Sequence, residues 1–222
     1  MPLIIGLGGA AILLSLGNWQ VNRLAWKEGK LAEIAAQIYE VPVPLEEALS
    51  SDIEEFQAVS AAGMFLDGEA HVLRSIKGQG VVFRIIAPFE TDTGRRILVD
   101  RGYVPEAAKT AQRTPGSAQL IANFRTPEET DRWTPEPDWA ANFVYARDVP
   151  VLADHFDTEP ILLILRETTE ANPQVIPWPV DTAGIPNDHL QYAITWFSLA
   201  AVWLGMTGLW IGRIRRAGTV SG

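Results

Sequence analysis

The chain has 222 residues, 47% of them hydrophobic, and 27 acidic side chains against 18 basic ones give it a formal charge of −9. So acidic a protein repels nucleic acid and anionic headgroups, which excludes polyanion binding. It has no cysteine, which excludes disulfides, thiolate metal sites and a cysteine nucleophile.

Residues 2–22 contain no Asp, Glu, Lys or Arg, and as a helix they are long enough to cross roughly 30 Å of hydrocarbon. A signal peptide also starts with an apolar run. Here no basic residue precedes the run and Leu16-Gly17-Asn18-Trp19-Gln20 offers no small-x-small cleavage site, so the run is read as a transmembrane helix. Apolar positions continue at helical spacing through Leu24, Leu31, Ile34, Ala35 and Ile38, carrying the helix past the membrane surface until Pro42 and Pro44 end it.

Strands are predicted over 56–65, 70–76, 81–90 and 95–104, with Thr91-Asp92-Thr93-Gly94 turning the chain between the last two, an antiparallel meander. A short helix over 105–112 stops at Thr114-Pro115-Gly116. Strands follow at 118–125, 142–147 and 161–167, with a helix over 149–156 between the last two. Pro173, Pro177, Pro179 and Pro186 stiffen an extended return. Residues 190–212 form a second uncharged apolar stretch. The fold class is therefore a membrane protein: transmembrane helices at 1–22 and 190–212 flank a mainly antiparallel β (α+β) extramembrane domain over 23–189, and a tail occupies 213–222.

Two spans put both termini on one side of the membrane and the domain on the other. All 27 acidic and 15 of the 18 basic residues lie in 23–189, a balance of −12. Flanking charges nearly tie: Arg213, Arg215 and Arg216 follow the second span, and Arg23, Lys27 and Lys30 follow the first. The arginines lie closest to the membrane edge without acidic neighbours, which favours a cytoplasmic tail and an outside, periplasmic domain.

Chemical motifs are sparse. Lys77-Gly78-Gln79-Gly80 lacks the spacing and hydroxyl residue of a phosphate loop and reads as a strand turn. The acidic groups Glu46-Glu47, Asp52-Glu54-Glu55 and Glu128-Glu129-Asp131 read as solvated loops rather than as cation sites. His71, His155 and His189 have no close-spaced partner, and no nucleophile, base and orienting acid assemble from spacing, so no enzyme activity is expected. His189 stands apart because it opens the second span behind the helix-capping pair Asn187 and Asp188. Steps of seven from it reach Trp196, Trp203 and Trp210, with Tyr192 near the same line, an aromatic stripe. Ala201, Gly205, Gly208 and Gly212 form a small-residue stripe on the opposite side, and Gly6, Gly9, Ala10 and Gly17 form another on the first span. The small faces are expected to pack together. The aromatic face is also what a membrane interface ordinarily carries, where Trp and Tyr gather and a His beside the headgroups is solvated. Trp203, near mid-membrane, fits that less well, and a planar cofactor, with His189 Nε2 available as an axial ligand to haem iron, or a partner helix would use the same face.

Four ordered segments resemble one family. They are Leu16-Gly17-Asn18-Trp19-Gln20 with Arg23, Trp26 and Lys27; Gly63-Met64-Phe65; Val99-Asp100-Arg101-Gly102-Tyr103-Val104-Pro105; and Asn187-Asp188-His189-Leu190-Gln191-Tyr192 with Thr195-Trp196-Phe197. Together they resemble the Surfeit locus family of cytochrome c oxidase assembly proteins over nearly the whole chain. Asp188 stands where the family commonly has asparagine, and Tyr103 where Trp or Phe is also common. The resemblance implies a bacterial inner-membrane protein with a periplasmic domain that binds haem a and assists its insertion into oxidase subunit I. His189 would be the haem-iron ligand, and Tyr192, Trp196 and Trp203 would complete the cofactor face. Oxidase subunit I, haem A synthase and other assembly factors would be the partners. Gly63, as a bulge or positive-φ position, and Arg101-Gly102-Tyr103 would serve domain integrity. A cofactor-free scaffold that stabilises an assembly intermediate is the alternative, and a tethered periplasmic hydrolase or sensor is disfavoured by the missing catalytic constellation.

Overall fold

Residues Pro2–Ile38 form one unbroken helix, α1, as the continuous apolar spacing predicts. At the other end His189–Val220 form α4, which runs past the expected end of the second span and through the basic cluster. The structure, a computed structural model, describes residues 2–127 and 129–220. Both helices are long and apolar enough to cross a membrane. The chain divides into two units, Met1–Glu33 with Thr182–Gly222, and Ile34–Asp181.

The second unit is a barrel. After α1 come β1 (Val43–Pro44), α2 (Leu45–Ser50), β2 (Ala58–Phe65), β3 (Ala70–Ile76), β4 (Gly80–Thr91) and β5 (Arg96–Pro105). A 3₁₀ turn at Glu106–Ala108, β6 (Ser117–Arg125), α3 (Val149–Phe156) and β7 (Leu162–Thr168) complete it. The sheet order is β1-β2-β6-β7-β5-β4-β3, and a further pairing of β2 with β4 closes β2, β6, β7, β5 and β4 into a ring. The β3-β4-β5 meander is as predicted, but β7 inserts parallel to β5, a long-range pairing that no local pattern announces.

Both faces of the central strands are buried, in period two. Ala87 and Phe89 of β4, Ile97 and Val99 of β5, and Leu163 and Leu165 of β7 share one cluster with Leu45 and Ala48 of α2. Their alternates Ile86, Leu98, Leu162 and Ile164 pack against Leu152 and Ala153 of α3. α2 was missed because six residues directly after Pro44 carry too little periodicity to register. It is held by burial against the barrel rather than by propensity.

Three expectations change. The segment 142–147 is no strand: Val144 alone bridges β3, with Leu73 N donating to Val144 O at 2.8 Å and Val144 N to His71 O at 3.0 Å. Asn142, at φ 47°, turns the chain there and ties its side chain to His71 N and Glu69 O. The helix expected over 105–112 is one 3₁₀ turn, since a single turn without a buried apolar face does not propagate. Gly63 is neither bulged nor at positive φ. It sits where β2 meets β4, opposite Thr91, and a Cβ there would overlap the Glu90 carbonyl. Closure of the barrel therefore requires the backbone proximity that only glycine permits. Bulges lie elsewhere: in β5, where Arg101 is the extra residue between the Asp100 and Gly102 pairings and Gly102 takes φ 122°, and in β7, where Arg166 is the extra residue between the Leu165 and Glu167 pairings.

Candidate functional site

In the helical unit, α1 and α4 pack antiparallel along a seam of steps three and four. On α1 the buried or half-buried positions include Gly6, Ala10, Leu13, Gly17, Gln20 and Leu24; on α4 they include His189, Ala193, Trp196, Ala200, Trp203 and Thr207. This is heptad spacing on both helices. The small residues of α1 admit the large ones of α4: a Cβ on Gly9 would collide with the Trp203 indole, one on Gly6 with Thr207, and one on Gly17 with the Phe197 ring. Trp203 Nε1 donates to Gly6 O at 2.9 Å, satisfying an indole that lipid would leave unpaired.

The expected pairing of faces is thus corrected. Gly205, Gly208 and Gly212 have open space where a Cβ would stand, and Trp203 packs instead of staying free. A small-residue groove gains more dispersion contact by taking an aromatic edge than by meeting a second groove. Around the seam, Tyr192 and Trp210 remain exposed and Trp196 and His189 half-buried. Trp203 and Trp210 also line a cavity of about 270 Å³ with Ile5, Gly6, Met206 and Thr207.

His189 is held rather than loose. Its Nδ1 lies 2.7 Å from Gln20 Oε1. With a carboxamide oxygen as acceptor, Nδ1 donates the hydrogen bond, and Nε2 has no hydrogen-bond partner among the described residues. A positioned imidazole with a free Nε2 is the donor geometry a haem iron accepts, the second nitrogen being fixed from behind. Among the described residues no group of three or more His, Asp and Glu side chains is placed to hold a bare metal ion. Sequence reasoning overlooked Gln20 as a site residue. Its signal was present: it is a polar residue within an uncharged span, three places after Gly17 on the same line.

The barrel unit carries its charges as latches. Asp100, fully buried, lies 2.7 Å from Arg84 Nε and 3.4 Å from Arg147 Nη1. Arg147 and Arg74 both pair with Glu129. Burial acts to raise the Glu129 pKa, but hydrogen bonds and charge from Arg147, with charge from Arg74, hold it at about 2. Glu69 is likewise held at about 2, against burial, by hydrogen bonds from His71 and Arg113. Burial pulls Arg84 down, with Asp100 opposing. Its guanidinium stacks 4.5 Å from the Trp178 ring and donates to Trp178 O, pinning the proline-rich return. The acidic loops expected to be solvated are therefore partly structural: Glu129 is an internal counter-ion, Glu55 pairs with Arg125 and Glu46 with Arg95. Glu128 lies outside the described residues. His155 stacks on Trp139 at 3.6 Å and His71 serves Glu69.

The chain resembles known proteins over most of its length. The family model described as "SURF1 family" matches residues 7–201. The chain is 27% identical over 215 residues to Surfeit locus protein 1 of Xenopus tropicalis, covering 84% of this chain and 68% of that protein. It is 29% identical over 214 residues to Surfeit locus protein 1 of Homo sapiens, covering 84% and 69%. To SURF1-like protein of Monosiga brevicollis it is 29% identical over 215 residues, covering 86% and 80%.

Proposed function

The chain belongs to the SURF1 family of cytochrome c oxidase assembly proteins, and from that premise we propose that it binds haem a and assists its insertion into oxidase subunit I. The observation that carries this reading is the imidazole of His189, fixed by Gln20 at Nδ1 and open at Nε2. Haem, when bound, would supply an iron that a neutral imidazole can ligate, and His189 Nε2 would hold it beside an apolar face. Tyr192 and Trp196 offer the face, and Trp203 supports it from within the seam. One protein ligand on an open side of two helices suits a carrier, because the ligand must leave again. The role is binding and hand-over, not catalysis, with subunit I, haem A synthase and other assembly factors as partners. The setting is a bacterial inner membrane, with the barrel in the periplasm.

The test is the absorption spectrum of the detergent-purified protein made together with haem A biosynthesis. Bound haem should appear in the parent and be lost or strongly shifted in His189→Ala. Gln20→Ala should weaken it less, because the imidazole stays but turns freely. An unchanged spectrum in His189→Ala overturns the ligand. A parent free of haem favours the cofactor-free scaffold, in which the same face docks a partner helix.

A further inference from the structure

The α1–α4 pair has two flanks, and they differ in chemistry. At 100° per residue, Gly17 and Phe197 turn to the same side of the seam when angles are taken from the Gln20–His189 contact, and the structure finds those two residues together. Equal rotations along two antiparallel helices lead to a common flank. Trp19, Arg23 and Trp26 on α1 and Tyr192 on α4 lie roughly 60° to 120° the other way, so all four share the opposite flank, next to the Gln20–His189 contact. Trp19, Trp26 and Tyr192 are about half exposed, at 56%, 50% and 55%.

Height orders them. Arg23 follows Gln20 by three residues, about 4.5 Å toward the polar end of the span, while Tyr192 follows His189 by three residues, about 4.5 Å into the apolar part. From polar end to apolar interior the flank reads guanidinium, imidazole, phenol. The Arg23 guanidinium carbon sits 3.9 Å from the Trp26 ring centroid, which holds the side chain on this flank. No carboxylate pairs with Arg23 among the described residues.

We propose that Arg23 is the carboxylate anchor of the His189 flank. It receives the acidic side chain of a planar apolar ligand whose body lies on Tyr192 and Trp19, which deepens the haem reading above and rests on it. A ligand that is apolar in its ring and anionic at one edge can lie here in one sense only. Its carboxylates must face the polar end, because carrying them into the hydrocarbon is costly. At that end Arg23 and, one turn on, Lys27 have no carboxylate partner among the described residues; Arg23 is the one on this flank, and an arginine fork matches a carboxylate in shape as well as charge.

The experiment uses the full chain in detergent, titrated with ferric haem b and separately with its dimethyl ester, followed by the Soret band. The parent should bind the free acid more tightly than the ester. Arg23→Gln should weaken the free acid by about 3- to 10-fold, the range of a partly exposed charge-assisted pair, and leave the ester unchanged. Arg23→Lys should recover part of the loss. If Arg23→Gln leaves free-acid affinity intact, or weakens both probes equally, the anchor is overturned while His189 ligation stands. If the parent binds neither probe, the haem reading itself fails and the anchor falls with it.

Discussion

At the scale of single residues, the barrel depends on two glycines and a set of matched charges. Gly102 is at φ 122°, and a Cβ on it would overlap the Ile176 carbonyl, so Gly102→Ala should destabilise the protein by about 2 kcal/mol or more. Gly94→Ala, at φ 85° but in open space, should cost only about 1 kcal/mol. Thermal melting of the full chain in detergent compares them, and equal losses would contradict the role given to the Ile176 contact. The carboxylates give a pH dependence. Glu69 and Glu129 are held at about 2 in the fold against an ordinary value near 4.5. Their stabilisation is therefore complete above pH 4.5 and is lost as pH falls toward 2. With solvent screening it is on the order of 1–2 kcal/mol each. Glu129→Gln should lower stability at pH 7 by about that much and bring the variant close to the parent near pH 2. Urea midpoints across the pH range measure this, and a gap that persists undiminished in acid would show that the loss is not electrostatic.

Between elements, the helix pair turns on an asymmetry: α1 supplies the groove and α4 the side chains that fill it. Gly9→Leu should force α4 away and cost about 1–3 kcal/mol, as overpacking does, whereas Gly205→Leu, with open space around it, should be nearly neutral. Trp203→Leu removes both indole packing and the bond to Gly6 O and should fall between them. Yield of membrane-inserted protein and its melting temperature read all three. Comparable losses from Gly9→Leu and Gly205→Leu would mean that both faces of α4 are packed. The helices were legible from composition and their contact face was not. A stripe of small residues states only that close approach is possible there, and both helices carry one.

For the whole molecule, an even number of spans puts the two ends of the chain on one side, and the proposed orientation makes that side the cytoplasm. A periplasm-dependent reporter fused after Gly222 should then be inactive, and activity would invert the topology. Much of this protein was determined by the sequence alone: the two apolar helices, the strands read at 70–76, 81–90 and 95–104, the helix at Val149–Phe156, and the four ordered segments that carry the family. These rest on local periodicity or on residue identity, which a linear reading can count. Tertiary structure decided the rest. The insertion of β7 beside β5, closure at Gly63, the conversion of Glu129 from surface charge to internal counter-ion, and the choice of Gln20 to hold His189 each join residues far apart in the chain. Such pairings are selected by the energy of burying and matching groups in three dimensions, and neither partner records in its own neighbourhood which distant group it will meet.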